Sequence, residues 1–272
     1  MRAIPPDFEA ATVAAIDAKL DEIMRDERVS IPLAIESGSR AWGFASRDSD
    51  YDCRFLYVRR EVDYLTPWPL RDVIEVPLMD DLDINGWDLI KAIPLIVKGN
   101  AVVLEWLQSP VGYGVDLAFR DALLAFARDH ASRCSIIRHH YHLGDRQRRT
   151  YFTPGTEVPI KKLFYVLRPA AALRWMRVHP DRIIPPMHFP TLMAECDPPR
   201  EIARIVDDLI ARKAVTRELG AAPVCAEVDR FIDAEFEIAA ASGPSPVEKA
   251  DARIVGNALF ASLVRQYSPE PS

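Results

Sequence analysis

Residues 36–55 read ESGSRAWGFASRDSDYDCRF, in which a Gly38-Ser39 pair stands a short loop before Asp50 and Asp52. Two carboxylates one residue apart on a strand-like run repel each other unless something positive sits between them. Side chains two apart on a strand leave the same face, so Asp50 and Asp52 can share a hard cation through oxygen. The Gly38-Ser39 turn follows an apolar run, and a short helix is expected to begin at residues 40–43. Free backbone N–H groups and the Ser39 hydroxyl then suit a phosphate. A third acid, Asp83, is flanked by Leu82 and Ile84, the pattern of a lone inward-facing carboxylate on a strand able to neighbour the first. Asp81 is its rival, while Asp88 is expected to cap the helix that follows.

Three aspartates of this kind can hold two magnesium ions, with manganese an acceptable substitute, roughly 3.5–4 Å apart. In-line phosphoryl transfer needs charge neutralised on the attacking and leaving oxygens, which such a pair supplies. In this scheme Asp50 and Asp52 hold the ion escorting a nucleoside triphosphate. Asp83 helps hold the ion that activates the incoming hydroxyl.

The elements that must position these residues follow from hydrophobic period. Phe8, Val13, Ile16, Leu20 and Ile23 recur at helical spacing. IPLAIE, 31–36, is short and apolar and reads as a buried strand. YDCRFLYV, 51–58, alternates, with Asp50, Asp52 and Arg54 on one side and Tyr51, Cys53, Phe55 and Tyr57 on the other. VIEVPL and DLDIN suggest further short strands. GWDLIKAIPLIVKGN returns to a helical period, with Pro94 expected to kink or shorten the helix. From about residue 116 the strand signals vanish and six segments carry apolar residues at three and four. The expected fold class is therefore α+β: a mixed sheet flanked by helices over residues 1–115, then an all-helical unit over 116–272.

Bulk properties narrow the classes. The chain has 272 residues, 49% of them hydrophobic, and a net charge of -6, which argues against coating nucleic acid by bulk charge. Any nucleic-acid contact must be local. Cys53, Cys134, Cys196 and Cys225 form no C-x-x-C pair, so neither a zinc site nor a disulfide framework is suggested. No run approaches the roughly 20 apolar residues of a membrane span, and no signal peptide is evident, so a cytoplasmic location is expected. His139, His140 and His142 lie on a helical stretch where neighbours diverge, and they read as a polar helix surface rather than a metal cluster. Trp42, Trp87, Trp106 and Trp175 read as core.

The combination of Gly-Ser, a short loop, Asp-x-Asp and a later isolated acid resembles the nucleotidyltransferase superfamily of DNA polymerase beta. More narrowly, ESGSRAWGFASRDSDYDCRFLYV, LDINGWDLIKAI and GNAVVLEWLQSP resemble a bacterial and phage group of nucleotidyltransferases of the RNA repair pathway, over roughly residues 30–178. The resemblance implies that Gly38 and Ser39 form the phosphate-binding turn and that Asp50, Asp52 and Asp83 are the metal-binding, catalytic carboxylates. Arg40 matches a family arginine that either contacts the triphosphate or braces the loop. Glu105 and Trp106 match a segment with no derived role. IKKLFYVLRP resembles the segment where related transferases set a lysine and a tyrosine against the nucleotide, which nominates Lys161, Lys162, Tyr165 and Arg168. It also makes an RNA end the favoured acceptor, with a protein side chain, a small molecule, or a non-catalytic nucleotide-binding role as alternatives. Arg138, Arg146, Arg148 and Arg149, with Lys161, Lys162, Arg168, Arg174 and Arg177 beyond them, are candidates for a track guiding that RNA.

Overall fold

The computed structural model describes residues 1–46, 48–79, 81–152, 157–215, 220–241 and 250–270. Helix α1 (Ala10–Asp26) runs into β1 (Val29–Glu36), the one-turn helix α2 (Gly38–Trp42), and strands β2 (Tyr51–Arg59), β3 (Val73–Glu75) and β4 (Leu82–Asp88). Helices α3 (Leu89–Val97) and α4 (Ala101–Trp106) precede β5 (Gly112–Val115), after which come α5 (Leu117–His130) and α6 (Arg133–Tyr151). The remainder is β6 (Val158–Pro159), α7 (Ile160–Val178), α8 (Phe189–Glu195), α9 (Arg200–Val215), β7 (Ala221–Ala222), α10 (Ala226–Ala241) and α11 (Ala252–Tyr267). The chain is thus an α+β protein whose mixed sheet has the order β3-β4-β2-β1-β5. Its β2–β4 pair is parallel, and its other pairs are antiparallel.

Strict alternation on β2 gives the sheet two apolar faces. Cys53, Phe55 and Tyr57 pack with Ile84, Tyr113 and the buried stripe Val13, Ile16, Leu20 and Ile23 of α1. Leu56 and Val58, with Leu33 and Ile35 of β1, join the other cluster, which continues into α3, α4, α5 and α7. This second core runs through the chain at 115–116 without a break. The last helix also returns to the sheet: the Ser268 hydroxyl donates to the Arg59 carbonyl (3.0 Å) and the Tyr267 hydroxyl to Asp116 (2.8 Å).

Local details depart from sequence expectation in three places. Trp87 and Asp88 belong to β4, and α3 begins only at Leu89, capped by the Asp88 carboxylate accepting from the Ile90 N–H (3.0 Å). Pro94 sits inside this nine-residue helix, which is shorter than the helical stretch of the sequence. Strand β5 has no clear signal in the sequence, where GYGV offers two glycines and little alternation; it forms because β1 presents an edge to it. The helical half carries a two-residue ladder between β6 and β7. Among the described residues no helix is long and apolar enough to cross a membrane.

Candidate active site

Parallel pairing of β2 with β4 sets Asp52 directly beside Asp83. Both side chains leave the sheet on the face turned toward the helical half, since their strand neighbours Cys53 and Ile84 point to α1. Arg54, two residues on from Asp52, shares that face. Its Nη2 donates to Asp52 Oδ1 (3.1 Å) and to Asp83 Oδ2 (2.6 Å), and its Nη1 donates to the carbonyls of Cys53 (3.0 Å) and Asp83 (2.6 Å). Two carboxylates therefore close on one guanidinium.

The Gly38 turn is built against this pair. Gly38 has φ +60°, and a Cβ there would lie 1.8 Å from Asp52 Oδ2, so only glycine admits the carboxylate. The Ser37 N–H donates to the Asp52 carbonyl (2.8 Å), tying the turn to β2. Ser39 lies in the one-turn helix α2, where its carbonyl accepts from the Phe44 N–H (3.1 Å). Arg40 reaches back to the carbonyls of Ser49 (2.7 Å) and Asp50 (3.3 Å) and lies 3.8 Å over the Tyr51 ring, so it braces the loop between turn and strand.

Asp50 is exposed at the mouth of β2. Burial pushes the Asp52 pKa up; Arg54 opposes this, while the charges of Asp83 and Asp50 add to it. The three acids thus feel one another, but only Asp52 and Asp83 are joined through a common partner. Among the described residues no three His, Cys, Asp or Glu side chains form a ready-made metal cage. The donor chemistry nonetheless fits a hard cation: both carboxylates already direct an oxygen to the same positive nitrogen.

The helical half faces this site with α7. Tyr165 has its pKa raised by burial and then by the charges of Asp52 and Asp50, while the charge of Lys161 acts on Asp52. Lys162 lies over the rings of Tyr151 (4.5 Å) and Tyr165 (5.1 Å). Arg168 points elsewhere. It is buried, paired with Glu105 (2.9 Å) and stacked 3.8 Å over Trp42, whose indole N–H donates to the same carboxylate (3.3 Å). Glu105 thereby gains a role: it clamps α7 to the helix that carries Ser39. Trp106 is core, 4.2 Å from Trp87.

Two residues near the site escaped sequence reasoning. Glu36 is fully buried, accepting from the Asp52 N–H (2.8 Å) and from the Tyr113 hydroxyl; burial pushes its pKa up to about 7. Its signal was an acid closing an apolar run. Lys213 on α9 is also buried, 4.5 Å over the Phe44 ring, and burial followed by the charge of Lys161 pulls its pKa down to about 8. The signal was positional, because Lys213 continues the stripe of Ile202, Val206 and Leu209.

One expectation on α6 needs correction. His140 is not on a polar surface: it is fully buried, and burial drops its pKa to about 3. Several of the basic side chains are engaged in ion pairs with the chain's own acids. Arg148 pairs with Asp229 and Asp233, Arg149 with Asp145, and both Arg174 and Arg177 with Glu235.

A model of the RlaP family, described as the RNA repair pathway DNA polymerase beta family, matches residues 13–261. The uncharacterized protein YcgL of Bacillus subtilis (strain 168) is 38% identical over 251 residues, covering 91% of this chain and 95% of that protein. With a match that takes in the Gly38 turn, both facing aspartates and the helical half together, the chain belongs to the RNA repair pathway DNA polymerase beta family.

Proposed function

We propose that the protein is a nucleotidyltransferase that moves a nucleoside monophosphate from a triphosphate to a hydroxyl, with an RNA end as acceptor. The observation carrying this reading is the pairing of Asp52 with Asp83 across β2 and β4, with the Gly38 turn packed against Asp52. In the reaction the hydroxyl oxygen bonds to the α-phosphorus, the bond from that phosphorus to the oxygen bridging the β-phosphate breaks, and pyrophosphate leaves. The hydroxyl proton passes to solvent. Asp52 and Asp83, with Asp50 beside them, would hold magnesium, which when bound neutralises charge on the triphosphate and lowers the pKa of the hydroxyl.

The chain's own residues supply position. Gly38 lets the turn approach Asp52, Glu36 fixes the Asp52 backbone, and Arg40 holds the loop leading to Asp50. Lys161 and Tyr165 are near enough to Asp52 for their charges to interact, and Lys162 lies over the Tyr165 ring, so lysine charge there favours a polyphosphate. Arg168 serves the site through Glu105 and Trp42.

The acceptor is the finer part of the reading and rests on the family's RNA repair description. Incubation with α-labelled triphosphates, magnesium and a choice of RNA or protein acceptors tests it. Label on RNA supports the proposal, and label on protein moves the acceptor to a side chain. Binding without pyrophosphate release leaves a nucleotide-binding module and removes the enzyme.

A further inference from the structure

Arg54 occupies the place between Asp52 and Asp83 that a shared cation would take. Its guanidinium makes four hydrogen bonds there, two to carboxylates and two to backbone carbonyls, and its side chain is 14% exposed. We propose that Arg54 is a resident counter-cation which a divalent metal ion must displace, and that this exchange makes metal and triphosphate bind together. The inference rests on the nucleotidyltransferase reading and adds to it an order of assembly.

The physical argument has three steps. Arginine stays protonated under all working conditions, so Arg54 neutralises one of the two facing carboxylates whenever no other cation is present. A divalent ion bound to the same two oxygens would stand within a few ångström of the guanidinium, where like charges in a half-buried site repel strongly. Both cannot keep the shared position.

Displacement then has a cost, because a guanidinium taken from its carboxylates needs another anion. The triphosphate provides one, and its oxygens match the planar fork of the arginine. An ion arriving alone must evict Arg54 with nothing to receive it, whereas an ion arriving with the triphosphate brings the receiving group. By linkage, triphosphate should strengthen ion binding and the ion should strengthen triphosphate binding by the same factor.

Manganese affinity, read from the free-ion electron paramagnetic resonance signal with and without a non-hydrolysable triphosphate, tests this in the wild type and in Arg54→Gln. Wild type should bind manganese weakly alone and far better with triphosphate. Arg54→Gln should tighten binding of manganese alone by about tenfold or more, the scale of a hydrogen bond to a charged group, and lose the corresponding part of the coupling. Arg54→Lys keeps the charge without the fork and should tighten it less; it carries the test should Arg54→Gln fold poorly, as judged by thermal melting.

Unchanged or weakened manganese binding in the folded variant, with coupling intact in wild type, would make Arg54 a brace for Asp83 and overturn the exchange. A wild type that takes up no manganese even with triphosphate present would bring down the nucleotidyltransferase reading itself, and the exchange with it.

Discussion

The two ends of the β2–β4 pair use the same residue types to opposite purpose. At the far end Asp88, opposite Tyr57, receives Arg59 (3.2 Å), the Tyr64 hydroxyl (2.8 Å) and the Ile90 N–H (3.0 Å), and its side chain is only 2% exposed. At the near end Asp52 and Asp83 share one guanidinium, with side chains 26% and 41% exposed and Asp50 close enough to add its charge. One carboxylate with three donors is a closed account of charge; two or three carboxylates with one guanidinium leave an excess facing the helical half. The stoichiometry of charge and the exposure, rather than the residue types, separate a structural ion pair from a site that takes up cations.

Breaking the near end should abolish chemistry and spare the fold. Asp52→Asn or Asp83→Asn should lower transfer by about 1,000-fold or more, the several kcal/mol expected of a metal-binding carboxylate, with little change in a urea unfolding midpoint. Breaking the far end should do the reverse. Asp88→Ala removes the nearest carboxylate of the buried Arg59, leaving it only Glu27 at 4.0 Å, and unpairs the Tyr64 hydroxyl and the Ile90 N–H, so it should cost about 3 kcal/mol of stability, read by urea denaturation, while the folded fraction keeps its triphosphate affinity. A loss of fold in the first pair, or of chemistry alone in the second, would erase the distinction.

How much of this contrast can be read from the chain depends on whether its signal is local. The near end is legible because β2 alternates cleanly and Asp83 stands alone between Leu82 and Ile84, so face and strand neighbour follow from period two. Arg54 is visible on that face too, but nothing in sequence says that its guanidinium folds back onto both acids. Arg168 shows the opposite failure. It shares helical spacing with Lys161 and Tyr165, yet its partner Glu105 lies 63 residues away and draws it into the core. Lys213 and Glu36 are hidden for the same reason, since each is buried by elements distant in sequence. Arg148 reads as free charge in the sequence because its acids, Asp229 and Asp233, sit on α10.

His140 sharpens the comparison from the side of burial, as a titratable group in the helical half with no carboxylate to charge it. Its pKa of about 3, against an ordinary 6.5, means the unfolded chain takes up a proton below pH 6.5 that the folded chain refuses. Stability is therefore retained above 6.5 and lost as pH falls toward 3. Between pH 7 and 4.5 this group should remove about 2–3 kcal/mol, and His140→Leu should flatten that part of the profile in parallel urea titrations. An unaltered slope would mean the ring reaches solvent.

Gly38→Ala probes the seam of the near end more gently. The Cβ meets Asp52 Oδ2 and the backbone is left-handed, so the variant should lose about 1–3 kcal/mol of stability, and it should weaken triphosphate affinity more than its fold because the carboxylate must move. Equal losses in both would show that the turn merely supports β1.

The smallest effect concerns the acceptor, and it divides the arginines of α6 by the same criterion of charge balance. Arg146 is exposed and has no ion-pair partner among the described residues, whereas Arg148 is held by two aspartates of α10. A free surface arginine that meets an RNA phosphate releases about one counterion, so Arg146→Ala should weaken RNA binding a few-fold at low salt and reduce the slope of log K against log salt by about 1. Arg148→Ala should leave that slope alone and instead lower stability, because it unties α6 from α10. If Arg148 changes the salt slope and Arg146 does not, the internal pairs open to bind RNA, and saturation of charge ceases to separate scaffold from site in the helical half.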